Sequence, residues 1–326
     1  MRMFIKDKGI NLNCNDADTY YNRGVIYYEE GKIEKAIKNY TRAIEIDPND
    51  GRVYYYRGDA YEEQGKLEEA IKDYTRAIER DPDDVNACHN RGYVYEQQGK
   101  LEEAIKDYTR AIEIDPNYAR AYYNRGYIYD EQGELEEAIK DYTRTIELDP
   151  NEASASINRA IAYRKQGKIE EAMKDYMRAI ELKPNNATYY YNRGYAYYKQ
   201  GELEEAIKDN TRAIELNTDF ADAYHNRGII YREQGKLEEA IEGFTQAIKL
   251  KANNAEAYND RGMAYYEQEK MNEAIKDYTR AIEINPNDVN AYYYRGMAHK
   301  DLGEIEEAIK DYTRAKELDT NLDSYF

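Results

Sequence analysis

The stretch Ala119–Glu152, ARAYYNRGYIYDEQGELEEAIKDYTRTIELDPNE, decides the fold because the rest of the chain repeats it. Its Gly126 recurs as Gly24, Gly58, Gly92, Gly194, Gly228, Gly262 and Gly296, at steps of 34 residues, or 68 where Ala160 replaces one glycine. Counted from Ala17, copies begin at 17, 51, 85, 119, 153, 187, 221, 255 and 289, and nine of them fill 306 of the 326 residues. A fixed period of this length marks a solenoid, in which each unit buries its apolar face on its neighbours.

One copy reads as two helices. The first runs from about Arg120 to Gln132 and stops at Gly133, since glycine suits the left-handed residue that closes a helix. The second runs from Leu135 to Leu148 and stops before Pro150, which cannot donate to a continuing ladder. All six prolines, Pro48, Pro82, Pro116, Pro150, Pro184 and Pro286, fall at this place. Asn or Asp after the proline, such as Asn49 and Asp50, suits a cap for the next first helix. At helical spacing Tyr122, Gly126 and Tyr129 form one arc of the first helix, with Arg125 and Ile128 beside it. Leu135, Ala138, Ile139, Tyr142, Thr145 and Ile146 form the apolar stripe of the second. The place of Ala138 is Ala in every copy, which lets helices approach closely. Glu136 and Lys140 stand at i,i+4 on the outer face.

The pattern Tyr122, Gly126, Tyr129, Ala138, Tyr142, Pro150 resembles the tetratricopeptide repeat, with Tyr for that family's Trp and Arg125 for the usual Leu. The resemblance covers almost the whole chain. It implies an all-α, right-handed superhelical solenoid of eighteen main helices, with first helices lining a concave surface. It implies protein contacts as the function class and leaves the ligand open.

Composition bounds the partners. A formal charge of −18 argues against a general binder of nucleic acid or anionic membrane. Cys14 and Cys88 have no partner spacing, so neither a disulfide framework nor a zinc site is indicated, and no cofactor is expected. No apolar run is long enough for a membrane span, and the opening MRMFIKDKG is too short in apolar residues for a signal peptide, so a cytoplasmic location is expected.

The copies are not uniform. Residues 1–16 align with the tail of a second helix, reading either as the remnant of an earlier copy or as a short capping segment. Copies one to four sum to −13, five to seven to +1, and eight and nine to −6. Asn210 replaces an aromatic, Thr218 and Ala252 replace proline, Gly243 falls inside a second helix, and Glu269 replaces a turn glycine. Lys316 replaces the Ile of the other copies, and Asp323-Ser324-Tyr325-Phe326 resembles the start of a tenth, so self-association through uncovered ends is a further expectation.

The candidate site residues are those repeated on the first helices. Asn22, Asn90, Asn124, Asn158, Asn192 and Asn226 share one place, interrupted by Tyr56, Asp260 and Tyr294. An amide donates and accepts at once, which suits a peptide backbone, and some members of the resembled family hold peptides on a similar ladder. The same row could instead bond neighbouring helices. Tyr21, Tyr55, Tyr123 and Tyr191, with Tyr93, Tyr127 and Tyr195, offer broad contact surfaces with polar tips. Arg164, Lys165, Lys199 and Arg232 would favour a short acidic stretch in the ligand. The unbroken row Arg23, Arg57, Arg91, Arg125, Arg159, Arg193, Arg227, Arg261 and Arg295 lies beside the buried arc and is expected to pair with carboxylates of a neighbouring helix. His89, His225 and His299 lack metal spacing, and no nucleophile–base pair or phosphate loop stands out. The expected function is therefore a non-catalytic scaffold that holds an extended segment of another protein. The alternative is an array that recruits substrate for a catalytic domain elsewhere.

Overall fold

The computed structural model describes residues 15–319. The described residues form eighteen α-helices and no strand. The chain divides between Gln166 and Gly167 into two units, inside the fifth copy. The first unit holds α1 (Ala17–Glu29), α2 (Ile33–Ile46), α3 (Gly51–Glu63), α4 (Leu67–Arg80), α5 (Val85–Gln97), α6 (Leu101–Ile114), α7 (Ala119–Glu131), α8 (Leu135–Leu148) and α9 (Ala153–Lys165). The second holds α10 (Ile169–Leu182), α11 (Ala187–Lys199), α12 (Leu203–Leu216), α13 (Ala221–Glu233), α14 (Leu237–Leu250), α15 (Ala255–Glu267), α16 (Met271–Ile284), α17 (Val289–Asp301) and α18 (Ile305–Leu318). Within each unit every helix packs on the next, so each is an all-α solenoid. Of the remnant or capping segment expected at residues 1–16, residues 1–14 lie outside the described residues, as does the tail at 323–326.

Local chemistry sets the helix ends. The turns between paired helices carry glycine at positive φ, as at Gly133 (φ 79°), and Glu269 adopts the same conformation at φ 60°. Asp50 accepts a hydrogen bond from the Arg52 amide at 3.0 Å, satisfying one of the free donors at the start of α3. Asp84, Asn186, Asn254 and Asp288 cap α5, α11, α15 and α17 in the same way.

The core differs in part from the sequence pattern. In α7 the fully buried positions are Ala121, Gly126 and Ile128, whereas Tyr122 and Tyr129 are half-buried. The two rings flank Arg125, whose guanidinium carbon lies 5.8 and 6.0 Å from their centroids. In α8 Ala138, Tyr142 and Thr145 are buried as expected, while Leu135, Ile139 and Ile146 are only partly so. Gly126 admits the Tyr142 ring, because an added Cβ would stand 3.2 Å from it. Asp141 is also buried and was absent from the expected stripe. It accepts from Arg125 Nε at 2.7 Å and Nη2 at 2.8 Å, a bidentate pair. The same pair recurs as Arg57–Asp73, Arg91–Asp107, Arg193–Asp209, Arg261–Asp277 and Arg295–Asp311. On the outer face Lys140 meets Glu137 at 3.7 Å, one turn position away from the expected Glu136. Gly243 does not break its helix: α14 continues through it.

Candidate protein-interaction face

The first helices present the residues singled out by the repeat. In the first unit three of the amides are engaged with neighbours on other helices. Asn90 Nδ2 donates to Tyr55 Oη and Asp59 Oδ1, both at 3.1 Å. Asn124 Nδ2 lies 3.1 Å from His89 Nε2 and 3.4 Å from Tyr108 Oη. Asn158 Nδ2 donates to Tyr123 Oη at 3.2 Å. Asn22 turns back onto its own helix and donates to the Asp18 carbonyl at 2.7 Å. Tyr21 packs against Tyr56 at a centroid distance of 5.4 Å. Tyr93 and Tyr127 are the exposed aromatics of this face, at 42% and 41%. Lys165 Nζ is held by Asp130 at 2.7 Å.

Burial governs titration here. Asp59 accepts from Tyr74 Oη at 2.7 Å and from Asn90, yet desolvation pushes its carboxyl up to about 6. Desolvation likewise raises the Tyr55 and Tyr108 phenols well above the usual range and lowers the His89 imidazole. His89 and His225 are both buried.

The second unit carries further candidates. Asn192 Nδ2 donates to the Thr188 carbonyl at 2.9 Å. Tyr191 packs at a tilt against Phe220, with centroids 5.0 Å apart. Tyr195 and Tyr198 stand 6.4 Å apart, and Lys199 Nζ lies 5.4 and 5.5 Å from their centroids. Arg232 Nη1 meets Asp260 Oδ1 at 3.3 Å, and Asp260 Oδ2 meets His225 Nε2 at 2.7 Å. Two hollows adjoin at Ile229. One, of about 860 Å³, has a rim rich in amides, including Asn254, Asn259 and Asn290. The other, of about 250 Å³, is lined by Tyr195, Tyr198, Lys199, Asn210, Asn226, Ile229 and Ile230. The sequence pattern marked Asn210 only as an irregularity. Its burial at 0% exposure came from the packing of α12.

Among the described residues no group of three or more His, Cys, Asp or Glu is placed to hold a metal ion, and no helix is long and apolar enough to cross a membrane.

Profiles described as TPR repeat match residues 24–65, 58–99, 93–133, 161–201, 194–231, 229–269 and 262–303. Profiles described as tetratricopeptide repeat match 119–152, 141–174 and 289–322. No curated protein matches the chain. Among solved structures, MamA is 27% identical with a TM-score of 0.48, over 51% of this chain and 97% of that one. The APC/C hetero-tetramer Cut9-Hcn1 is 18% identical with a TM-score of 0.58, over 91% of this chain and 58% of that one. A tetratricopeptide repeat protein from Parabacteroides merdae is 22% identical with a TM-score of 0.55, over 76% and 98%. The latter two likenesses are of fold.

Proposed function

The chain belongs to the tetratricopeptide repeat family, and from that premise we propose that it is a non-catalytic scaffold holding an extended segment of a partner protein on its first helices. The observation that carries this reading is the amide-rich hollow of the second unit. Its Asn254, Asn259 and Asn290 rim lies beside Tyr195, Tyr198 and Lys199 on one face. Asn254 spends its oxygen on the Ala257 amide and Asn259 its Nδ2 on Asp288, so the first presents a donor and the second an acceptor, which together fit the alternating groups of a peptide backbone. Tyrosines supply contact area at low entropic cost. In the first unit the Asn90, Asn124 and Asn158 donors serve neighbouring helices and the Asn90 oxygen meets His89 Nδ1 at 3.0 Å, so the peptide contact there rests on the Asn124 and Asn158 oxygens and on Tyr93 and Tyr127.

An acidic stretch in the ligand is the finer part of the proposal. Lys165 and Arg232 already meet carboxylates. Lys199 is exposed and stands over two rings, which makes it the cation best placed to meet an acidic side chain. The test is calorimetry of the full chain against peptides selected on it from a random library. Lys199→Glu is expected to weaken acidic peptides and to reduce the salt dependence of binding, since exposed charges are screened over about 8–10 Å. Asn192→Ala is expected to weaken all selected peptides about equally, because a backbone contact carries no sequence information. A library that yields no binder rejects the scaffold reading. Peptides without acidic preference reject only the finer part.

A further inference from the structure

The place of Tyr142 is aromatic in every copy but one. Tyr40, Tyr74, Tyr108, Tyr142, Tyr176, Phe244, Tyr278 and Tyr312 occupy it, and in the sixth copy Asn210 stands there. In the third copy the ring serves two neighbours. Tyr108 Oη donates to Glu96 Oε2 at 2.7 Å and is approached by Asn124 Nδ2 at 3.4 Å. The corresponding places around Asn210 are Tyr198 for the carboxylate and Asn226 for the amide. Asn226 keeps the donor, but the hydroxyl that would receive it is missing, and Asn226 Nδ2 is buried without a partner. Asn210 Nδ2 donates to the Ala206 carbonyl at 2.8 Å, which leaves Asn210 Oδ1 buried and also without a partner. Both residues line the hollow of about 250 Å³, whose other walls are Tyr195, Tyr198, Ile229 and Ile230, with Lys199 at its exposed edge.

We propose that this pocket receives a tyrosine side chain of the bound segment, which takes the place of the ring that the sixth copy lacks. The inference rests on the scaffold reading and gives it a specificity pocket. The apolar and aromatic walls suit a planar ring. The lining residues leave one donor, Asn226 Nδ2, and one acceptor, Asn210 Oδ1, without partners. A phenolic hydroxyl matches both chemically, able to accept from the first and donate to the second. A phenylalanine ring fills the same space but leaves both polar atoms unpaired in a dry site, and a carboxylate meets Asn210 Oδ1 with repulsion.

The test uses the full chain labelled for nuclear magnetic resonance, with N-acetyltyrosinamide and N-acetylphenylalaninamide as probes, alongside the selected peptides. The tyrosine probe is expected to shift resonances of Asn210, Asn226 and Ile229, and the phenylalanine probe to bind about tenfold more weakly. Asn210→Tyr fills the pocket with the chain's own ring, as the other copies do. This variant is expected to fold with raised stability and to lose the probe. Asn226→Ala is expected to narrow the difference between the probes. Selected peptides are expected to carry a tyrosine whose replacement by alanine weakens binding to the wild type but not to Asn210→Tyr. If peptides bind Asn210→Tyr as well as wild type, or show no tyrosine preference, the pocket is overturned and the scaffold reading stands. If the probe binds as expected but no peptide is selected, the pocket's chemistry stands and the scaffold falls. If the tyrosine probe leaves those resonances unmoved, the pocket is overturned whatever the library yields.

Discussion

Asp59 is where burial acts most plainly on a single residue. Its carboxylate accepts two hydrogen bonds, from Tyr74 and Asn90, which favour the charged form, but desolvation outweighs them and holds the group at about 6. In the unfolded chain an aspartate titrates near 3.9. Between those values the folded state binds the extra proton, so this group's contribution to stability declines as pH rises from about 4 to about 6. At about 1.36 kcal/mol for each pH unit the window is worth on the order of 2–3 kcal/mol. Asp59→Asn keeps an acceptor for Tyr74 and removes the ionisation. Its stability relative to wild type, from urea midpoints, should therefore rise across that window and level off above it. Parallel curves for the two proteins would show that Asp59 titrates normally. The row position of Asn90 was legible in the sequence. Its use of Asp59 was not, because that requires α3 and α5 to be placed side by side.

At the scale of the element, the turn between paired helices is set by one left-handed residue. Eight described turns use glycine there, from Gly31 to Gly303, and the turn between α15 and α16 uses Glu269 at φ 60°. An L-residue in this conformation carries a steric cost of roughly 1–2 kcal/mol. Nothing lies within 4 Å of a Cβ at the glycine positions of these turns, so the cost is conformational and not a clash with neighbours. Glu269→Gly is expected to stabilise the second unit by about 1 kcal/mol, read as a higher denaturation midpoint. An unchanged or lower midpoint would mean that the Glu269 side chain contributes a contact of similar size. Here the sequence was a sufficient guide, because the αL requirement follows from local geometry alone.

At the scale of the whole molecule, the array should not be uniformly stable. The window 208–254 contains four buried polar atoms without partners, Asn210 Oδ1, Asn226 Nδ2, Arg227 Nε and Gln234 Oε1, whereas 102–152 contains one, Tyr142 Oη. Each such group costs about 1–3 kcal/mol. Arg227 has a specific cause: Gly243 stands where seven other copies place an aspartate, so the bidentate pair is missing, and Arg227 keeps its Nη1 hydrogen bond to Thr211 at 3.1 Å and its place over the Tyr224 ring. Amide hydrogen exchange is therefore expected to be faster over 208–254 than over 102–152. Equal protection in both windows would contradict this distribution of stability.

The 34-residue period by itself determined the helix pairs, their ends and the all-α solenoid, since each of these depends on contacts within a copy and its immediate neighbour. The arginine row and its carboxylate partners were likewise legible as a class. Tertiary structure alone decided which polar groups are spent inside the array and which are left over. Tyr122 and Tyr129 flank a guanidinium where a buried stripe was expected, and His89 is buried between Asn90 and Asn124. Asn210 leaves a hollow whose amides have lost their partner ring. These outcomes depend on angular placement between helices 16 to 35 residues apart in the chain, as in Asn124–Tyr108 and Asn90–Tyr55. A one-dimensional period records which residue recurs, but not which of its hydrogen bonds its neighbours have already taken.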